Sequence, residues 1–291
     1  MQAKTLKSLQ LTENNRIPAD LRVKYFKAAM KAGMKLVTFD METSHATVRT
    51  FYIGSKVSIP ASSVIHPTQI ITIQYAVNNH KPMYLAWDRI SNKFEGTGNF
   101  DDSSMVEDFT TGIYNNSDLI LTQNGDGFDH KILVERAKVH KTTPPERSIP
   151  SIDILKLSRT SVRPMSHKLD YRSKQQGLGG KHSMRDSDWV DIEERGVSVT
   201  KKMVPYGLKD ITDTYNLFFH ELPYYKSIPK SIESVVLKFL TGGDYVHPKR
   251  VKSVKCPVCR KGHRLSSDVT FLRGNSYLCN NCNKKFSSDK C

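Results

Sequence analysis

The chain has 291 residues, of which 38% are hydrophobic and 25% charged, and a net charge of +15. This length and balance fit one substantial core with a smaller appendage and exclude a disordered chain, and no apolar run approaches the ~20 residues of a membrane span. The excess positive charge sits at the ends: residues 1–39 carry eight Lys/Arg against two Asp/Glu, residues 226–291 fourteen against four, and residues 40–225 twenty-two against twenty-three.

Residues 1–20 are basic but lack a continuous apolar segment, so they make a poor secretory signal, and a cytoplasmic setting is expected. RIPADLRVKYFKAAMKAG (16–33) reads as an amphipathic helix capped by Asp20 and stopped at Gly33. Strands are predicted over 34–41, 47–53, 69–77 and 82–87, then a polar loop over 92–103, a helix over 104–115 and a short buried strand over 118–123. The turn NGDG (124–127) opens a helix over 128–140, and SIDILKLSR (151–159) follows a proline-rich break. Residues 160–200 are the least regular. A second strong helix spans 205–222, with Pro205 in its first turn, and a linker and a short helix over 231–241 precede a cysteine-rich tail. Strands followed by mixed strands and helices predict an α/β mixed sheet flanked by helices, with a small C-terminal module.

LVTFDMETS (36–44) carries two acids in a run built for burial. Alternate residues of a strand share a face, so Asp40 and Glu42 project together while Val37, Phe39 and Met41 pack behind them. Two carboxylates that close repel each other unless a cation compensates, and hard divalent ions bind carboxylate oxygens in this way. A solvated strand edge is the other reading of this pair. Asp129 lies where a strand gives way through Gly125 and Gly127 to a helix. Tyr206 and Asp210 are four residues apart and share a helix face, an arrangement that a surface Asp beside a half-buried Tyr also gives.

In this order the segments resemble the DEDD superfamily of 3′–5′ exonucleases, which have a ribonuclease-H-like fold. FDMET (39–43) looks like the first motif, NGDGFDHKIL (124–133) like the second, and YGLKD (206–210) like the third in its tyrosine branch. Tyr84–Asp88 and Tyr114–Asp118 share the last spacing but precede the second motif. DIL (153–155) and HKLDYRSKQQGLGGK (167–181) resemble the intervening region of phage and polymerase-B-related members, and the likeness covers about residues 34–222. It implies catalysis by Asp40, Glu42, Asp129, Tyr206 and Asp210 with two Mg²⁺ or Mn²⁺ ions. Asp40 would bridge both ions, Glu42 and Asp210 hold the one that activates water, Asp129 support the other, and Tyr206 orient the water. Thr43, Asn124, Phe128 and Lys181 are the expected substrate contacts. Asp153 and Asp170 could support the metal-binding acids from behind, with capping or surface roles as the preferred reading.

Cys256, Cys259, Cys279 and Cys282 form two C-x-x-C pairs separated by nineteen residues, the spacing of a Cys₄ structural Zn²⁺ site in a zinc ribbon. The surrounding Lys and Arg with Tyr277 and Phe286 suit a nucleic-acid grip, and a protein partner is the alternative. The expected organisation is a basic helical segment over 1–33, an exonuclease domain over 34–225, a linker and short helix over 226–254, and a zinc ribbon over 255–291. The function expected is a 3′–5′ exonuclease on single-stranded DNA ends, with RNA close behind, in a bacterial or phage-infected cytoplasm. It would act away from membranes and beside a replication or repair protein. A non-catalytic nucleic-acid-binding or recruitment protein and a structure-selective endonuclease are the alternatives.

Overall fold

Strand β1 (Leu36–Thr43) is the centre of a five-stranded sheet. In the computed structural model the described residues are 9, 16–50, 58–86, 101–179, 183–195 and 197–242, with the backbone of five short strands between 254 and 287. A two-residue strand β2 (Thr47–Val48) and β3 (Val64–His66) form a separate ribbon. The main sheet is completed by β4 (Ile70–Val77), β5 (Met83–Ala86), β6 (Leu119–Thr122) and β7 (Ser151–Asp153), in the order β5-β4-β1-β6-β7. On one side β1 pairs antiparallel with β4, Asp40 opposite Gln74; on the other it pairs parallel with β6, from Leu36 opposite Leu119 to Thr38 opposite Leu121. This mixed sheet with flanking helices is compatible with a ribonuclease-H-like fold.

The period-two alternation of β1 sorts its side chains between two cores. Val37, Phe39 and Met41 join Met105, Val106 and Phe109 of α2 (Ser103–Gly112) and Leu133 and Ala137 of α3 (Asp129–His140). On the opposite face, Leu36, Leu119 and Leu121 meet Phe26 of α1 (Arg22–Lys31), Leu217 and Phe218 of α7 (Met203–Glu221), and Val235 and Val236 of α8 (Lys230–Thr241). Fully burying one such side chain stabilises by roughly 1.5–3 kcal/mol. The N-terminal helix and the short helix after the predicted linker thus pack into the same core as the sheet. Among the described residues, no helix is long and apolar enough to cross a membrane.

The structure differs from the sequence reading in several places. Asp20 does not cap α1: it lies in a 3₁₀ turn, Ala19–Leu21, and Leu21 is the residue before the helix. Gly33 ends α1 as expected, at φ +105°, where a side chain would be strained. The strand predicted over 47–53 is strand only at 47–48, and residues 51–57 lie outside the described residues. The stretch 160–200, expected to be the least regular, is helical in part. It holds the end of α4 (Ile154–Ser161), α5 (Leu169–Gln175) and α6 (Asp186–Arg195). Helix α7 begins two residues early, so Pro205 is its third residue, still within the first turn, where its missing N–H costs nothing.

In the C-terminal region β8 (Val254–Lys255) pairs antiparallel with β9 (Gly262–His263), and β10 (Val269–Leu272), β11 (Ser276–Cys279) and β12 (Lys284–Ser287) form an antiparallel three-stranded sheet. Cys279 closes β11, opposite Val269 and Lys284. Cys256, Cys259 and Cys282 lie outside the described residues, as does Lys181.

Helix α5 reaches the core through a buried ion pair. Arg172 Nε donates to Glu221 Oε1 of α7 at 3.1 Å, its Nη2 donates to Glu221 Oε2, and Tyr225 Oη donates to the same Oε2 at 3.0 Å. Removing one partner of such a pair leaves the other charge buried and uncompensated. Arg172→Ala should therefore destabilise the protein by about 3–5 kcal/mol, read from urea unfolding. A loss under about 1 kcal/mol would show that water reaches Glu221 instead.

Candidate active site

Beyond Thr38 the parallel ladder stops, and β1 continues alone on that side. The chain leaves β6 there through residues 123–128, so a crevice opens at the carboxyl ends of β1 and β6, where the sheet changes from antiparallel to parallel pairing. A cleft of about 360 Å³ occupies this place, lined by Asp40, Glu42, Asn124, Phe128, Asp129, Tyr206 and Asp210, and also by Met41, Gln123, Lys168, Leu169, Asp170 and Thr214. The five residues expected to be catalytic are thus brought together from β1, the start of α3 and α7. Of the expected substrate contacts, Asn124 and Phe128 line the cleft. Thr43 does not; the β1–β4 register shifts between Glu42 and Thr43.

The turn before α3 is tightly specified. Asn124 adopts φ +69°, and its N–H donates to Asp153 Oδ1 at 2.9 Å. The same oxygen caps α4 through Leu155 N–H at 2.9 Å, so the capping role expected for Asp153 is observed. A Cβ on Gly125 would sit 2.4 Å from Thr122 Oγ1, which explains the glycine. The turn delivers Asp129 to the first residue of α3, where Oδ1 accepts the Met41 N–H at 3.2 Å.

Asp129 is only 3% exposed. Burial pushes its carboxyl up to about 7, opposed by the backbone N–H bonds and reinforced by the Asp153 carboxylate. Asp40 and Glu42 are half-buried on the neighbouring strand, and Asp210 is buried on α7. Four carboxyl groups on one cleft, one of them raised by burial, fit hard divalent ions.

Helix α7 comes close enough to complete the site because residue 207 is glycine. A Cβ there would meet the Gln74 side chain at 2.3 Å, and Gln74 is itself fully buried and donates to Thr72 Oγ1 at 2.7 Å. Gln74 stands opposite Asp40 in the ladder, so this contact sets Tyr206 and Asp210 over the acidic face of β1. The Trp189 ring of α6 packs edge-on to Tyr206, centroids 6.3 Å apart, and Glu193 of α6 accepts the His45 N–H at 2.9 Å just past the end of β1.

Lys168, Gln123 and Thr214 line the cleft without having been singled out, and Asp170, read as a capping or surface residue, lines it too. Thr214 falls one helical turn after Asp210, a period that could have found it, whereas Lys168, the extended residue before α5, carries no such signal. Asp170 also pairs with Lys174 at 2.9 Å, in keeping with a surface role. A second group, Asp101, Asp102 and His140, brings its ligand atoms within 4.8 Å of one another. Both Asp102 oxygens are taken by the Arg136 guanidinium, at 2.6 and 2.8 Å, and Oδ2 also accepts the Ile70 N–H, so a cation there would have to displace the guanidinium. No protein-family model matches the chain, and no curated protein matches it in sequence.

Two outcomes follow from this geometry. The folded chain holds the Asp129 proton up to about pH 7 and the unfolded chain only to about 3.9, so in metal-free protein this group's stabilisation is full below about pH 4 and lost as pH rises through 7. Divalent ions need the ionised form, so Mg²⁺ should raise Tm more at about pH 8 than at about pH 5.5, and Asp129→Ala should remove the difference. Gly207→Ala should cost about 1–3 kcal/mol in urea unfolding by overpacking and weaken the Mg²⁺ response by moving Asp210; an unchanged response would dismiss the close contact as a determinant of the site.

Proposed function

We propose that the chain is a metal-dependent 3′–5′ exonuclease acting on single-stranded nucleic acid, with DNA favoured over RNA. The observation that carries this reading is the convergence of Asp40, Glu42, Asp129, Asp210 and Tyr206 on one cleft. Asp40, Glu42, Asp129 and Asp210 would hold two Mg²⁺ or Mn²⁺ ions. Bound there, the ions supply positive charge to the attacking and leaving oxygens of an in-line phosphodiester displacement.

The protein's own groups do the rest. Tyr206, held by the Trp189 edge, directs its hydroxyl toward the attacking water. Phe128 is 41% exposed at the cleft mouth and offers a face for the terminal base. Exposed Lys168 offers a cation to a backbone phosphate. The DNA preference rests on the likeness of 153–155 and 167–181 to phage and polymerase-B-related members. The Cys256, Cys259, Cys279 and Cys282 set is proposed to bind one structural Zn²⁺ in a basic ribbon that grips nucleic acid.

The test is a 5′-labelled single strand of DNA or RNA incubated with Mg²⁺ or Mn²⁺, with and without EDTA. A ladder of shortening products that EDTA abolishes is the expected result, and a circular strand should stay intact. Asp40→Ala and Asp129→Ala should reduce cleavage to background with the fold retained by circular dichroism. Tyr206→Phe should lower kcat by roughly 100-fold while leaving the Mg²⁺ dependence in place. Cleavage of the circle would identify an endonuclease, and full activity in either Asp variant would refute the assignment.

A further inference from the structure

Helix α7 does not end at the active cleft. Tyr206, Asp210 and Thr214 continue in the helical period to Glu221, and the same two helices, α5 and α7, wall a second cavity of about 340 Å³. At about 1.5 Å per residue, Asp210 and Glu221 are roughly 16 Å apart along the helix. The N-terminal end of α5, Leu169 and Asp170, faces the first cavity, and Arg172 and Gln175 face the second, so one wall runs past both.

The second cavity differs in chemistry from the first. Its floor is the Arg172–Glu221 pair, already neutralised, and its rim includes Arg163, His220 and Tyr224. Tyr224 is 68% exposed, and Met165, beside the rim in sequence, is 92% exposed. Arg159, Arg163 and Lys226 are exposed and enter no ion pair among the described residues. The Lys226 N–H donates to Ser161 Oγ at 3.0 Å, which keeps this cation beside the turn that carries Arg163. An exposed ring among uncompensated cations, with glutamine amides at the edge, is the composition that takes a base on the ring and phosphates on the cations.

We infer that the cavity between the α4–α5 turn and the C-terminal end of α7 is a second nucleotide-binding subsite, which holds the body of a single strand whose 3′ end lies in the active cleft. This rests on the nuclease reading and extends it by giving the substrate a minimum length. A stacked strand rises about 3.4 Å per nucleotide, so some five nucleotides span the roughly 16 Å between the sites. Tyr224 stacks on a base there, and Arg163 contacts the adjoining phosphate.

The experiment compares a dinucleotide with a 5′-fluorescein dodecathymidylate on full-length protein. Anisotropy in EDTA, where no cleavage occurs, should show Tyr224→Ala and Arg163→Ala each weakening the twelve-mer by about tenfold. Hydrolysis of the dinucleotide in Mg²⁺ should be unchanged in both variants, while KM for the twelve-mer rises by a similar factor. Twelve-mer binding and KM unaltered in both variants would overturn the subsite, as would equal losses on the dinucleotide. A wild type that cleaves neither substrate would refute the nuclease reading alone, because the anisotropy still decides the subsite. Binding of a twelve-residue acidic peptide as tight as that of the twelve-mer would also overturn it, in favour of a protein partner.

Discussion

The cleft depends on one backbone donor. Where β6 ends, β1 runs on without a neighbour on that side, and the N–H of Met41 would be left to water or to nothing. Asp129 takes it. That bond fixes the start of α3 against the strand and brings a carboxylate into a dry corner at the same time. The cost of its burial is what makes the corner receptive to positive charge.

The remaining acids arrive by a different route. Asp40 and Glu42 stand on the α7 face of the sheet, and Asp210 is laid over them because Gly207 lets the helix touch Gln74. The cleft is therefore assembled from contacts that leave little slack: a glycine-limited turn at 124–127, a glycine-limited helix contact at 207, and a ring from α6 behind Tyr206. Such rigidity suits a site whose work is to hold groups in place.

Much of this was visible in the residues. The alternation of LVTFDMET placed Asp40 and Glu42 on one face, the NGDG turn marked the start of α3, and the spacing of Tyr206 and Asp210 put both on one helical stripe. What escaped was structure stabilised by polar burial. Helices α5 and α6 look irregular because Arg172 and Asp188 occupy positions where a core helix would carry apolar residues, yet Arg172 is neutralised by Glu221 and Asp188 by Lys202. Asp102 was lost in a predicted loop for the same reason, its partner Arg136 being 34 residues away. Such pairings depend on three-dimensional proximity, which periodicity does not encode. The Gly207–Gln74 contact is equally silent in sequence, since a mid-helix glycine there reads only as a weak helix former.

The way the first helix is held has a temporal consequence. Arg22 is buried and donates to the carbonyl oxygens of Leu222 and Tyr225, and Arg16 reaches both Ile228 O and Glu233. Once synthesised, this segment thus finds its partners only after some two hundred further residues have emerged. Until α7 and α8 appear, the apolar face of α1 and one face of the sheet lack many of the side chains that cover them. The chain is committed to a late, long-range closing step, and during synthesis it exposes the surface that chaperones recognise.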